Sequence, residues 1–207
     1  MTAESRFWDR TAQTYAQQPI ADEAAYETKL RVTRTYLTPQ SEVLELGCGT
    51  GSTALLHAPF VRHIRAIDFS ARMIGIAREK AEREGVVNVD FEQADITTLV
   101  FPADGHDAVL ALSILHLLKD PDALIRKAFD TLKPGGVLVT STTCAADTIP
   151  FLRPIAPIGH ALGLLPQLNF LTADGVAAKI SGAGFEIVHR WLPGKGKAVF
   201  IIGKKPG

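Results

Sequence analysis

The chain has 207 residues, 46% of them hydrophobic, with 22 Lys and Arg against 22 Asp and Glu. That length and apolar content suit one substantial core and exclude two comfortably sized domains. The zero formal charge, without any long basic run, argues against a nucleic-acid footprint, although RNA or DNA as a substrate is not thereby excluded.

The first residues, Met1 to Arg6, lack the apolar core of a signal peptide, so a cytoplasmic protein is the expectation. Two helices are expected over residues 4–17 and 22–37, separated by Pro19, with Asp22 as a cap. Phe7, Trp8, Ala12 and Tyr15 suit one face of the first. A strand over 42–46 runs into Gly47-Cys48-Gly49-Thr50-Gly51, and a helix starts near Gly51. A second strand, 63–68, ends on Asp68. Ser70 can cap a helix reaching about Glu84, with Met73, Ile74, Ala77 and Ala81 on one side. Strands follow at 88–93 and 106–112. Asp120-Pro121-Asp122 opens a helix, because proline is tolerated in a first turn. Lys133-Pro134-Gly135-Gly136 stops it and leads into a strand at 137–140.

From 149 to 171 only Arg153 carries a full charge, and Pro150, Pro154, Pro157 and Pro166 would break any membrane helix there. A kinked apolar lid is the expectation, with a dimer or membrane-surface contact as the alternative. A helix at 172–182 and strands at 185–188 and 198–202 complete the chain, the last two joined by a hairpin through Pro193-Gly194-Lys195-Gly196-Lys197. Alternating strands and helices predict a parallel α/β sheet covered on both faces, and the hairpin makes the last strand antiparallel. Cys48 and Cys144 follow strands two positions apart in the sheet, about 9.6 Å. That exceeds the roughly 7 Å reach of a disulfide, so both are expected as free thiols.

The strand, glycine loop and helix carry the chemistry. Glycine permits a tight turn and close approach of a ligand to backbone N–H groups, which at a helix start favour an acidic group. The dinucleotide fingerprint wants glycine at position 52, where this chain has Ser52. Asp68, at the end of the next strand, can accept hydrogen bonds from both hydroxyls of a ribose.

Glu45-Leu46-Gly47-Cys48-Gly49-Thr50-Gly51, Asp68, Asp95 after the third strand and Leu132-Lys133-Pro134-Gly135-Gly136 occur here in an order that resembles the class I S-adenosylmethionine-dependent methyltransferases. The likeness is to the small-molecule group that includes ubiquinone and menaquinone biosynthesis enzymes, and it covers nearly the whole chain. It implies a Rossmann-like sheet of seven strands in the order 3-2-1-4-5-7-6. It implies S-adenosylmethionine as cofactor and S-adenosylhomocysteine as product. Gly47, Gly49 and Gly51 would surround the methionine part and Asp68 would bind the ribose. Asp95 would contact the adenine amino group, with Ile96 or Ala94 lining the ring; capping of Thr97-Thr98 is the plainer role for that aspartate. Phe69 and Met73 are placed to pack on adenine, Met73 equally to be helix core. Tyr15 reaches over the cofactor in relatives, with core packing as its plainer role, and Glu45, Cys48 and Leu112 complete the expected contacts.

Strand four ends Leu112-Ser113-Ile114-Leu115-His116, at the switch point where open α/β sheets bind ligands. His116 is the candidate general base, set against a role in ordering its loop. His160 in the apolar lid is a candidate to face substrate or a partly exposed helix residue. The Asn/Asp-Pro-Pro-Tyr type motif of amino methyltransferases is absent, as is any carboxylate and amide cluster for a hard metal.

One domain over 1–207 is expected, with a helical cap at 1–38 and a lid insert at 146–171. The expected activity is methyl transfer to a small, apolar or aromatic acceptor by a monomer or homodimer. A cofactor-binding sensor or subunit without turnover, and a nicotinamide oxidoreductase, are the alternatives. Phe151, Leu152, Ile155 and Leu162 are expected to face the acceptor partly.

Overall fold

The computed structural model describes residues 3–207; Met1 and Thr2, part of the expected cap, lie outside the described residues. Two helices, α1 (Ala3–Gln17) and α2 (Glu23–Arg34), precede β1 (Glu42–Leu46). Then follow α3 (Ser52–His57), β2 (His63–Asp68), α4 (Ala71–Glu84), β3 (Val89–Gln93) and β4 (His106–Leu112). α5 (Pro121–Thr131) leads into β5 (Leu132–Thr142). The short α6 (Ala145–Thr148) and α7 (Ala156–Ala161) precede α8 (Ala173–Gly182), β6 (Glu186–Trp191) and β7 (Val199–Lys204).

The seven strands pair in the order β3-β2-β1-β4-β5-β7-β6, with β7 antiparallel to both neighbours. This is the expected sheet. Alternation along β1 explains its two covered faces. Leu44 and Leu46 join Val109, Ala111 and Leu138 beneath α5 and α8, while Val43 joins Ala108, Leu110 and Phe200 beneath α3 and α4. Glu45 shares the face of Val43, which is how a carboxylate comes to sit in an apolar layer.

Helix starts follow capping chemistry. The side chains of Asp22, Ser70, Asp120 and Thr172 each accept a backbone N–H in the first turn of the following helix. α4 has a second acceptor from outside: Asp9 Oδ1 on α1 takes the Ser70 hydroxyl at 2.6 Å and the Arg72 N–H at 3.2 Å. This contact joins the N-terminal cap to the loop that follows Asp68.

The Lys133–Gly136 segment departs from expectation, because β5 begins before it. His106 pairs with Leu132 and Ala108 with Val137, so the intervening residues bulge out of an otherwise continuous strand. Lys133 closes the bulge by pairing with both oxygens of Asp107 at 2.9 Å.

The apolar insert breaks at its prolines, as expected, into α6, a 3₁₀ turn at Pro150–Leu152 and α7. Its outer surface does not match. Phe151 is 71% exposed and Leu162 68%, with Ile155 also exposed, so these three side chains face solvent; Leu152 is half-buried. Helical pieces of three to six residues offer no continuous apolar face to lay on the sheet rim, and the side chains splay. The segment's ends are tethered, by Arg10 Nη2 donating to Gly163 O at 2.7 Å and Asn169 N donating to His116 O at 2.6 Å. No helix among the described residues is long and apolar enough to cross a membrane.

Candidate functional site

Two cavities open at the carboxyl ends of the strands and share Gly47 as a wall. The first, about 370 Å³, is bounded by Trp8, Phe69, Asp95, Ile96, Leu118 and Gln167 among others. The second, about 570 Å³, is bounded by Tyr15, Lys29, Glu45, Gly49, Leu112 and Ser141 among others. α1 arches over both, placing Trp8 on one and Tyr15 on the other, their rings edge to face at 6.1 Å.

The glycine loop differs from its sequence reading in one respect. The N–H groups of Gly47 and Cys48 both donate to Ile67 O, that of Gly49 to Asp68 Oδ2, and that of Gly51 to Cys48 O. None of these N–H groups is a free donor, and what the loop offers a ligand is open space at Gly49. A Cβ on Gly49 would meet nothing nearer than Tyr15 at 3.9 Å. Lys80 braces the loop from α4, donating to the hydroxyls of Thr50 and Ser52 at 3.0 Å.

The two carboxylates behind the loop have different surroundings. Asp68 is buried, with a backbone donor on each oxygen: Gly49 N–H at 3.0 Å and Ser70 N–H at 2.9 Å. Burial raises its pKa, and these bonds oppose the rise. Glu45 is 3% exposed, and its Oε2 has no hydrogen-bond partner. Burial first, then the negative charge of Asp68, pushes its pKa up to about 8. A buried acceptor without a donor is costly, and here it borders a cavity that a cation or donor can enter.

Gly47, Phe69, Asp95 and Ile96 therefore converge on the first cavity, and Tyr15, Glu45, Gly47, Cys48, Gly49 and Leu112 on the second. Gly51, Asp68, Met73 and His116 border neither. Met73 is helix core, with its N–H on the Ser70 hydroxyl. Asp95 combines both expected roles in placement: it borders the first cavity, while its Oδ1 accepts the N–H and hydroxyl of Thr97 at 2.8 and 2.7 Å. The placement of His116 speaks against a general base. Its ring faces inward with Nδ1 buried and unpartnered, and burial lowers its pKa to about 4. Burial, with the charges of Glu45 and Asp68, pushes the Cys48 thiol far up, and both cysteines are free, as expected. His160 sits at the partly exposed end of α7, its Nδ1 at 3.4 Å from Leu165 O, on neither cavity wall.

Sequence reasoning missed several residues here. Trp8 was legible as a helix-face aromatic and as part of the resemblance, with no site role attached, and Lys29 and Ser141 carried no motif. His57, completely buried with neither ring nitrogen partnered, also borders the second cavity. Ser113 turns the chain after β4 with φ at +57° and donates its N–H to Ser141 O at 2.7 Å. A non-glycine residue there carries strain of about 1–3 kcal/mol, a feature that concentrates at functional sites.

Comparison with known proteins agrees with this geometry. Residues 43–136 match a family model described as a methyltransferase domain. The ubiquinone/menaquinone biosynthesis C-methyltransferase of Vibrio campbellii is 32% identical over 145 residues, covering 66% of this chain and 53% of the relative. The chain thus spans about half the length of that relative. Among solved structures, an S-adenosylmethionine-dependent methyltransferase from Mesorhizobium loti superposes with a TM-score of 0.72 at 21% identity, covering 89% of this chain and 99% of the other. The [4+2]-cyclase SpnF gives 0.73 at 22%, covering 91% and 83%. Residues 43–136 thus match a methyltransferase domain, on a fold shared with a solved S-adenosylmethionine-dependent methyltransferase. The residues present fit the family's cofactor: the unpartnered Glu45 oxygen suits an ammonium group, and the space above Gly49 suits a chain passing close to the backbone.

Proposed function

We propose that the protein transfers a methyl group from S-adenosylmethionine to a small, largely apolar or aromatic acceptor. The observation that carries this reading is the pair of cavities meeting at Gly47, one flanked by Phe69, Asp95 and Ile96, the other by the unpartnered Glu45 carboxylate. The cofactor supplies a methyl group on a positively charged sulfur, transferred by in-line displacement.

Each residue then has a task. Phe69 and Ile96 pack on adenine, and the Asp95 oxygen left free by Thr97 accepts from its amino group. Asp68, on neither cavity wall, holds the loop that passes beside the ribose through Gly49 and Ser70. Glu45 accepts from the ammonium of the amino-acid end, and Tyr15 covers that end from α1. The acceptor enters the second cavity past Leu112, where Leu30, Phe200 and Pro193 give an apolar lining. Such a lining excludes water and aligns the acceptor with the sulfur.

A thermal-shift series tests the cofactor. S-adenosylhomocysteine at a hundred times its dissociation constant should stabilise the fold by about 2.7 kcal/mol, and NAD should not. A shift with NAD alone would sink the reading. Turnover against a panel of phenols, thiols and quinols then separates an enzyme from a binding protein.

A further inference from the structure

The second cavity contains a cation that the methyl-transfer reading leaves unused. Lys29, on α2, is half-buried, and its Nζ donates to the Ser141 hydroxyl at 2.9 Å. Among the described residues no carboxylate lies within 4 Å of that ammonium. The nearby Asp22 is already engaged, accepting the Ala25 N–H at 3.0 Å and pairing with Lys197 at 3.0 Å. Lys197 is thereby neutralised, and Lys29 is not. Burial lowers the pKa of Lys29, partly offset by the charge of Asp22.

An ammonium has three donors, and a neutral hydroxyl takes only one of them. A half-buried cation without a counter-charge is costly, and the cost is recovered when an anion enters beside it. The position along the sheet indicates which anion. Ser141 lies near the end of β5, paired with Leu112 of β4, and Ser113 donates to its carbonyl. Glu45 and the glycine loop belong to β1, two strands away and so about 9.6 Å across the sheet. The carboxylate of the cofactor's amino-acid end is bonded to the same carbon as its ammonium, and so stays near Glu45.

Resting on the methyltransferase reading above, we infer that the acceptor carries an acidic oxygen, a carboxylate or an ionised phenol, which pairs with Lys29 Nζ beside Ser141. An apolar body with one acidic group matches the rest of the lining, where Leu30, Leu112 and Phe200 face the same space. Pairing at Lys29 orients the molecule so that the remainder extends past Leu112 towards the shared wall at Gly47.

The test uses the full-length protein saturated with S-adenosylhomocysteine. A panel of small aromatic acids is titrated, each beside its methyl ester, with wild type, Lys29→Met, Lys29→Arg and Ser141→Ala. At least one acid should bind wild type tenfold or more tighter than its ester. The preference should vanish in Lys29→Met, persist in Lys29→Arg and shrink in Ser141→Ala, while the affinity for S-adenosylhomocysteine changes less than twofold throughout. If no acid outbinds its ester, or the preference survives Lys29→Met, the inference is wrong. Loss of S-adenosylhomocysteine binding in Lys29→Met would instead assign the ammonium to the cofactor's own carboxylate and overturn it equally. Failure of S-adenosylhomocysteine to bind wild type would count against the methyltransferase reading itself. Ser141→Ala, which leaves the charge in place, decides the matter if Lys29→Met does not fold.

Discussion

Gly51 lies so close to the Phe91 ring that a Cβ at this position would fall 2.7 Å from two ring carbons, and 2.8 Å from the Ala77 methyl. Its φ of +76° adds strain for any other residue. Gly49 also has a positive φ, but open space beyond it. The two glycines therefore predict different failures. Gly51→Ala should destabilise the fold by about 2–4 kcal/mol, from overpacking plus backbone strain. Gly49→Ala should cost the fold only about 1 kcal/mol, while weakening S-adenosylhomocysteine binding tenfold or more. Urea unfolding and calorimetric titration of both variants give the comparison. Equal losses of stability would contradict it.

Glu45 makes a prediction that depends on pH. Its folded-state pKa of about 8 lies above the ordinary 4.5. The contribution of this group to stability is therefore fully present below 4.5 and is lost as pH rises through about 8. Glu45→Gln should make the ligand-free protein more stable than wild type at pH 9, by a few kcal/mol at about 1.4 kcal/mol per pH unit. The advantage should disappear near pH 4.5. The same variant should bind S-adenosylhomocysteine about 10- to 100-fold more weakly, through loss of a charge-assisted hydrogen bond. In wild type, affinity should fall as pH drops below 8, because Glu45 must release a proton to receive an ammonium. Calorimetry in buffers of different ionisation enthalpy measures that proton directly.

His57 and His116 act at the opposite end of the scale. Burial lowers each to about 4, with the positive charge of Arg34 adding to the effect at His57. A lowered folded-state value means stability present above 6.5 and lost as pH falls towards 4. Each imidazole should contribute on the order of 3 kcal/mol or less to acid unfolding across that window. Neither nitrogen of His57 has a partner, so an apolar ring of similar shape removes no hydrogen bond. His57→Phe should flatten the decline in urea midpoint between pH 6.5 and 4.5. A midpoint curve parallel to wild type would show that His57 does not titrate with unfolding.

The fold was legible where period and punctuation agree. β1, β2 and β4 start and end where the sequence places them, and Ser70 and Asp120 cap as their positions suggest. The bulge in β5 was not legible, because Lys133-Pro134-Gly135-Gly136 reads locally as a turn and only pairing with β4 makes it strand. The site divides the same way. Phe69, Asp95, Ile96 and Glu45 border cavities because strand ends dictate their position. The occupation of the Gly49 N–H by Asp68 depends on β2 lying beside β1, which no local pattern reveals. Asp9, Lys29 and Lys80 reach the site from helix surfaces, where a charged residue normally signals only solvent. The outward turn of Phe151 and Leu162 comes from how short the proline-bounded helices are, a length that hydrophobicity alone does not convey.

A single residue separating two cavities also governs how binding energy is assembled. Gly47 lies on the walls of both cavities, so a ligand that fills both spaces runs beside it. Adenosine and methionine offered as separate molecules would each find one chamber and bind independently. Joined through sulfur, the first half to dock would hold the second at an effective concentration in the millimolar range. The whole would then bind far more tightly than either half.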